Sequence, residues 1–95
     1  AERGIHVVLY EMRSVSRTAA HKTDNCAELV CSNSLGNNLP HSAPFILKEE
    51  LRSLNSVVIS SGDRNCVPAG SALAVDRELF SKEITKRISN HPLIT

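Results

Sequence analysis

Ninety-five residues are enough for one small domain and too few for two. The chain is 41% hydrophobic, but only Tyr10, Phe45 and Phe80 are aromatic, so any core must be built from aliphatic side chains. A net charge of +1, from 11 basic and 10 acidic residues, supplies no electrostatic case for a nucleic-acid or membrane surface.

No apolar run approaches the ~18 residues of a membrane span, and Ala1-Glu2-Arg3-Gly4 has no signal-peptide architecture. The three cysteines, Cys26, Cys31 and Cys66, form no CxxC pair, which argues against a disulfide framework and for reduced thiols in a cytoplasmic protein.

In chain order, Glu2-Arg3-Gly4 reads as the tail of a helix closed by glycine. Ile5–Tyr10 is almost continuously apolar, the pattern of a strand buried on both faces of a parallel sheet. Residues 12–43 are polar and irregular, with Gly36-Asn37-Asn38 and Pro40 as breakers and at most a short helical turn over Ala27–Val30. A structureless stretch of that length points to a functional loop or an absent partner surface.

Ser42 as cap, Pro44 in the first turn, and Leu47, Leu51, Leu54 and Val58 at helical spacing predict an amphipathic helix from Pro44 to about Ser56. Its outer face would carry Lys48, Glu49, Glu50 and Arg52. Val57-Val58-Ile59 either extends this helix or forms a short strand. Ser61–Gly70 reads as a loop and Ala72–Val75 as a short apolar run. Asp76 caps a second amphipathic helix, from Arg77 to about Asn90, which Pro92 prevents from continuing. Leu93-Ile94-Thr95 resembles the start of a strand, so both ends are expected to fall inside structure. The fold class expected is α/β: part of a Rossmann-like domain over residues 1–95, with parallel strand pairing, two amphipathic helices and long irregular loops.

The pattern richest in chemistry is an apolar strand followed at once by an acid, Glu11. In dinucleotide-binding folds an acid at the end of the second strand accepts hydrogen bonds from the adenosine ribose, about 20 residues after a G-x-G-x-x-G phosphate loop. Counting back from Glu11 puts that loop upstream of Ala1, so the first strand and the glycine-rich loop are expected to lie outside the chain. The alternative is that Glu11 simply ends a strand at the surface.

Cys31, flanked by Ser32, Asn33 and Ser34, is either a thiol suited to nucleophilic or redox work or a small loop residue. Arg13, Arg17 and Lys22 are either a solvated cluster or a phosphate contact. His21, Cys26 and Cys31 match no familiar zinc spacing, and no metal site is expected.

Several blocks go further. Leu9-Tyr10-Glu11-Met12-Arg13, the Ala27–Leu35 block containing Cys31-Ser32-Asn33-Ser34-Leu35, Leu47–Ser56, and Val67-Pro68-Ala69-Gly70 with Ala72–Arg77 closely resemble the folate- and FAD-dependent tRNA (uracil-5-)-methyltransferases. These TrmFO proteins are relatives of the GidA flavoproteins, and the resemblance runs along essentially the whole chain. The chain departs from the family pattern at Ser14, Lys22, Cys26, Gly36 and Ser71.

The resemblance implies a cytoplasmic enzyme that forms 5-methyluridine in the tRNA T loop. Its one-carbon unit would come from methylenetetrahydrofolate, with FAD as carrier and NAD(P)H as reductant. It implies that Glu11 holds the FAD adenosine ribose and that Arg13 lies in the same cofactor-binding segment. Cys31 would assist the chemistry near the flavin, on a loop lined by Ser32 and Asn33, while Asp76 and Arg77 would be structural. tRNA would bind through regions outside this chain, and the 95 residues alone would be inactive. The alternatives are a GidA-type tRNA-modifying flavoprotein or a non-catalytic remnant of the FAD-binding fold; the CSNSL block favours the methyltransferase.

Overall fold

The computed structural model describes residues 1–95. Its elements run β1 (Ser34–Asn37), α1 (Ala43–Ser53), α2 (Val57–Arg64), β2 (Cys66–Val67), β3 (Ala72–Val75) and α3 (Arg77–Ser89). The three strands form one antiparallel sheet in the order β1-β3-β2, with β3 central.

Local chemistry sets each helix boundary. Ser42 accepts the Phe45 N–H, and Asp76 accepts the N–H groups of Glu78 and Leu79 at 3.0 Å, so two of the caps expected from sequence start α1 and α3. The helix expected to run on to about Ser56 stops earlier. Asn55 adopts φ 57°, its N–H bonds Arg52 O, and the Ser56 N–H reaches Leu51 O, the pair of bonds that makes a Schellman ending. Ser56 then caps α2, which settles Val57-Val58-Ile59 as helix and converts residues 61–64 of the expected Ser61–Gly70 loop into helix. There are three helices, where periodicity suggested two.

β1 arises where the sequence reads as loop. Its residues have no alternating pattern, and the strand exists because β3 offers an open edge. Ser34 pairs with Ala74 and Asn37 with Ala72, so three steps along β1 match two along β3. The extra residue is absorbed at Gly36, φ 89°, a backbone that a side chain rarely adopts. The bulged strand turns the Leu35 and Asn37 carbonyls toward Lys48, whose Nζ donates to them at 3.1 and 2.8 Å. Lys48 is therefore buried at 3% exposure and does not lie on the outer face expected of it.

The core is small and sits between β3 and α3: Val75, Phe80 and Ile84, flanked by Cys26, Leu29, Leu35, Val57 and Ile88. Two polar networks clamp the helices around it. Glu83 on α3 accepts from Arg64, Asn65 and Ser61 of the α2 end, and Arg52 on α1 forks onto Asp63 at 2.8 and 2.6 Å. Arg64 holds the Glu83 carboxyl below its ordinary range despite the opposing effect of burial.

The three-stranded sheet is antiparallel, where parallel strand pairing was expected. Parallel pairing is confined to one bridge, Val7 with Ile94, bonded through Val7 N–H to Leu93 O, Thr95 N–H to Val7 O and Leu9 N–H to Thr95 O. Ile5–Tyr10 was expected to be buried on both faces; here it has one neighbour along one edge, and Tyr10 is 92% exposed. Of the expected core stripe Leu47, Leu51, Leu54 and Val58, only Leu51 is half-buried and the other three are exposed. Glu2-Arg3-Gly4 forms a turn closed by Gly4 N–H to Ala1 O, not a helix end, and Ala27–Val30 is non-helical with Ala27 at φ 56°.

Phe80→Ala removes the largest fully buried side chain and is expected to cost about 3–5 kcal/mol, enough to unfold so small a core. Loss of amide dispersion in a proton–nitrogen NMR spectrum would bear this out, and an unchanged spectrum would contradict it.

Candidate functional site

Glu11 stands where the parallel contact ends. Residues 7–9 are held straight by their bonds to 93–95, and the chain then turns tightly, with the N–H groups of Val15 and Ser16 both bonding Met12 O at 2.9 and 2.8 Å. This turn folds Arg13 back onto Glu11. Nε donates to Oε1 at 2.8 Å, Nη2 to Oε2 at 2.7 Å, and the Arg13 backbone N–H adds a third bond to Oε1 at 3.0 Å. Such a planar fork matches a carboxylate in a way that a lysine cannot.

The electrostatics follow from that fork. The Arg13 side-chain hydrogen bonds, helped by its backbone N–H, pull the Glu11 pKa down from 4.5 to about 2, although partial desolvation opposes them. Glu11 is thus an ionised acceptor, still partly exposed, beside a shallow cleft of about 330 Å³ lined by Glu11, Met12, Arg13, His21, Ala27 and Glu28. Arg13 itself is 7% exposed, covered by its own loop and outside the apolar core. Its charge is met on the far side by Glu28, with Nη1 3.6 Å from Oε2.

Glu28 organises the loop. Burial alone would raise its pKa, but the backbone N–H groups of Lys22 (3.0 Å) and Thr23 (3.2 Å) and the nearby His21 outweigh that and lower it. The same loop is stapled to α3 by Cys26 N–H to Thr85 Oγ1 at 2.9 Å and Asn25 Nδ2 to Ser81 Oγ at 3.3 Å. The basic cluster of Arg13, Arg17 and Lys22 is dispersed in the fold: Arg13 serves Glu11 and Glu28, Arg17 pairs with Asp24 at the surface, and Lys22 is exposed.

Cys31 lies on a different part of the surface. It is exposed with a free thiol, and its carbonyl accepts from Arg77 Nη2 at 3.2 Å. Ser32 Oγ accepts the Ser34 N–H at 3.1 Å. Asn33 is committed to the fold, because its Nδ2 donates to Val75 O at 3.1 Å while its own carbonyl accepts the Val75 N–H at 2.9 Å. Glu11 and Arg13 are therefore brought together, and Cys31, Ser32 and Asn33 are brought together, but no cavity is lined by both groups. Glu28, Ser81 and Thr85 escaped the sequence reading. They lie far from Glu11 in sequence and form no motif with it.

The family profile described as "Glucose inhibited division protein A" matches residues 1–95. The chain is 59% identical over all 95 residues to the methylenetetrahydrofolate–tRNA-(uracil-5-)-methyltransferase TrmFO of Enterococcus faecalis, of which it covers 22%. Proteins of the same name are 58% identical over 94 residues in Streptococcus pneumoniae, with 21% of that protein covered, and 57% identical over 95 residues in Bacillus velezensis, with 22% covered. The chain spans about a fifth of the length of these curated relatives.

The Glu11 carboxyl titrates below its ordinary value, so its ion pair is fully formed above pH 4.5 and is lost as pH falls through about 2. A carbon-13 NMR titration of the Glu11 carboxyl should show a midpoint close to 2. A midpoint near 4.5 would mean that the Arg13 fork does not form in solution.

Proposed function

This chain belongs to the glucose inhibited division protein A family, and from that premise we propose that it is part of a folate- and FAD-dependent tRNA (uracil-5-)-methyltransferase. The observation that carries the reading is identity of 57–59% along the whole chain to proteins bearing that name. The same identity favours the methyltransferase over a GidA-type relative with another tRNA substrate. In this reading residues 1–95 belong to a Rossmann-like FAD-binding domain of a longer cytoplasmic protein, and tRNA is engaged by regions beyond them. No helix here is long and apolar enough to cross a membrane.

The Glu11 site fits one end of FAD. Oε1 already accepts two N–H groups and Oε2 one, so the ionised carboxylate retains acceptor capacity at its partly exposed edge. That capacity suits a ribose hydroxyl, with the cleft at Met12, His21 and Ala27 beside it. When bound, FAD would supply the redox chemistry that reduces a one-carbon unit from methylenetetrahydrofolate at the expense of NAD(P)H. Glu11 would orient the adenosine end. The Cys31 thiol, exposed and free, would give or take a proton near the reacting centre, with the Asn33–Val75 bonds and Arg77 holding its loop. Ser32 would contribute a hydroxyl to that loop.

Nanomolar FAD binding needs about 12 kcal/mol, far beyond what one ribose contact supplies. The isolated 95-residue chain is accordingly expected to show no saturation in a flavin-fluorescence titration in the micromolar range, and saturation there would contradict the reading.

In the full-length protein, Glu11→Ala is expected to weaken FAD binding by about tenfold or more. Cys31→Ala should leave FAD bound while lowering 5-methyluridine formation by about a hundredfold or more. A Cys31→Ala protein of normal activity would remove Cys31 from the chemistry, and a Glu11→Ala protein of normal FAD affinity would remove Glu11 from the cofactor site.

A further inference from the structure

The Nε–Nη2 fork of Arg13 is committed to Glu11. Its Nε and Nη2 are spent on the two oxygens of Glu11, its backbone N–H is spent on Glu11 Oε1, and Nη1 faces Glu28 at 3.6 Å. With the side chain 6% exposed, the guanidinium turns its Nε–Nη2 edge to Glu11 and its Nη1 toward Glu28. Glu28, whose side chain is 12% exposed, is equally committed, to Arg13 on one side and to the N–H groups of Lys22 and Thr23 on the other. Of the three charges only Glu11 opens onto the cleft with substantial exposure.

We propose that Arg13 and Glu28 are positioning residues, a relay from the 22–28 loop through the guanidinium that fixes the Glu11 carboxylate in the orientation that receives a ribose. The inference rests on the reading of Glu11 as the ribose acceptor, and it moves Arg13 from contacting the cofactor to acting through Glu11. Glu28 holds one side of the guanidinium, the fork holds both carboxylate oxygens in a single plane, and the ribose meets a preset acceptor. Preorganisation of this kind raises affinity because the carboxylate loses no rotamer freedom when the ligand arrives. A lysine at position 13 would keep the charge but, as a point donor on a flexible stem, could not hold the plane.

The test uses full-length protein freed of flavin and titrated with FAD and with its 2′,3′-dideoxyadenosine analogue, which lacks the hydroxyls that Glu11 would hold. The unaltered protein should prefer FAD by about tenfold or more. Arg13→Lys should cut that preference to within about threefold while leaving affinity for the dideoxy analogue nearly unchanged, because only the ribose contact is lost. Glu28→Gln, which keeps one acceptor oxygen for the Lys22 and Thr23 N–H groups but removes the charge facing Arg13, should reduce the preference in the same direction. It serves as the second variant should Arg13→Lys fail to fold.

Each failure has its own signature. If the unaltered protein does not distinguish FAD from the analogue, the ribose reading of Glu11 fails and the relay with it. If the unaltered protein discriminates and a folded Arg13→Lys discriminates equally well, Glu11 needs no positioning and the relay alone is overturned. Equal weakening of both ligands by Arg13→Lys would also overturn it, because that is the mark of a residue that merely supports the loop.

Discussion

The sheet, the apolar core and the start of α3 are all hung on the four residues of β3. Both of its backbone edges are occupied, by β1 and by β2, and Leu73, Ala74 and Val75 are buried between them and the helices. Val75 is the pivot. Its N–H and carbonyl are both bonded to Asn33, its side chain packs with Phe80 and Ile84, and the next residue, Asp76, caps α3. One strand end thereby fixes the start of a helix, the seat of the core and the position of the Cys31 loop. An apolar cluster so small gives modest stability, so the surrounding polar clamps at Glu83, Arg52 and Lys48 bear an unusual share of the organisation.

A second constraint governs the polar half of the chain. Between Glu11 and Leu29 there is little apolar surface to bury, and the chain is ordered by charge and hydrogen bonding instead. Arg13 faces two carboxylates, Glu28 gathers two backbone N–H groups, and Cys26 and Asn25 are fastened to α3. A covered charge persists only if it is paired, which is why this loop comes to one arrangement without a core of its own. That arrangement leaves an ionised carboxylate at the mouth of a cleft, so the ribose contact proposed for Glu11 would depend on the order of this loop.

The sequence was most legible where one residue acts on its immediate neighbours. Ser42 and Asp76 announced α1 and α3 because a capping oxygen needs only the N–H groups two or three residues on. The break between α1 and α2 was hidden by the Leu47–Leu51–Leu54–Val58 spacing, which runs through it, although Asn55 followed by Ser56 is a stop and a start in local terms. β1 was illegible because Ser34–Asn37 carries no strand pattern and owes its conformation to β3, 38 residues away from Asn37 to Val75. Lys48 read as surface for the same reason, since its acceptors are created by the Gly36 bulge. At the site, Glu11 was visible from the apolar run before it, whereas Glu28 was not, because its partners are backbone groups and a guanidinium brought to it by the turn at Met12.

The central claim is that the segment from Glu11 to Glu28 faces the adenosine end of FAD and that its ionic relay is part of the cofactor site. Amide hydrogen exchange of the full-length protein with and without FAD tests it most directly, because the Arg13, Lys22 and Thr23 N–H groups each bond a carboxylate of the relay. The account predicts that FAD slows exchange at these amides while leaving α1, whose side-chain bonds run to β1 and α2, unchanged. Protection confined to other parts of the protein, with residues 11–28 exchanging at the same rate in both states, would contradict it.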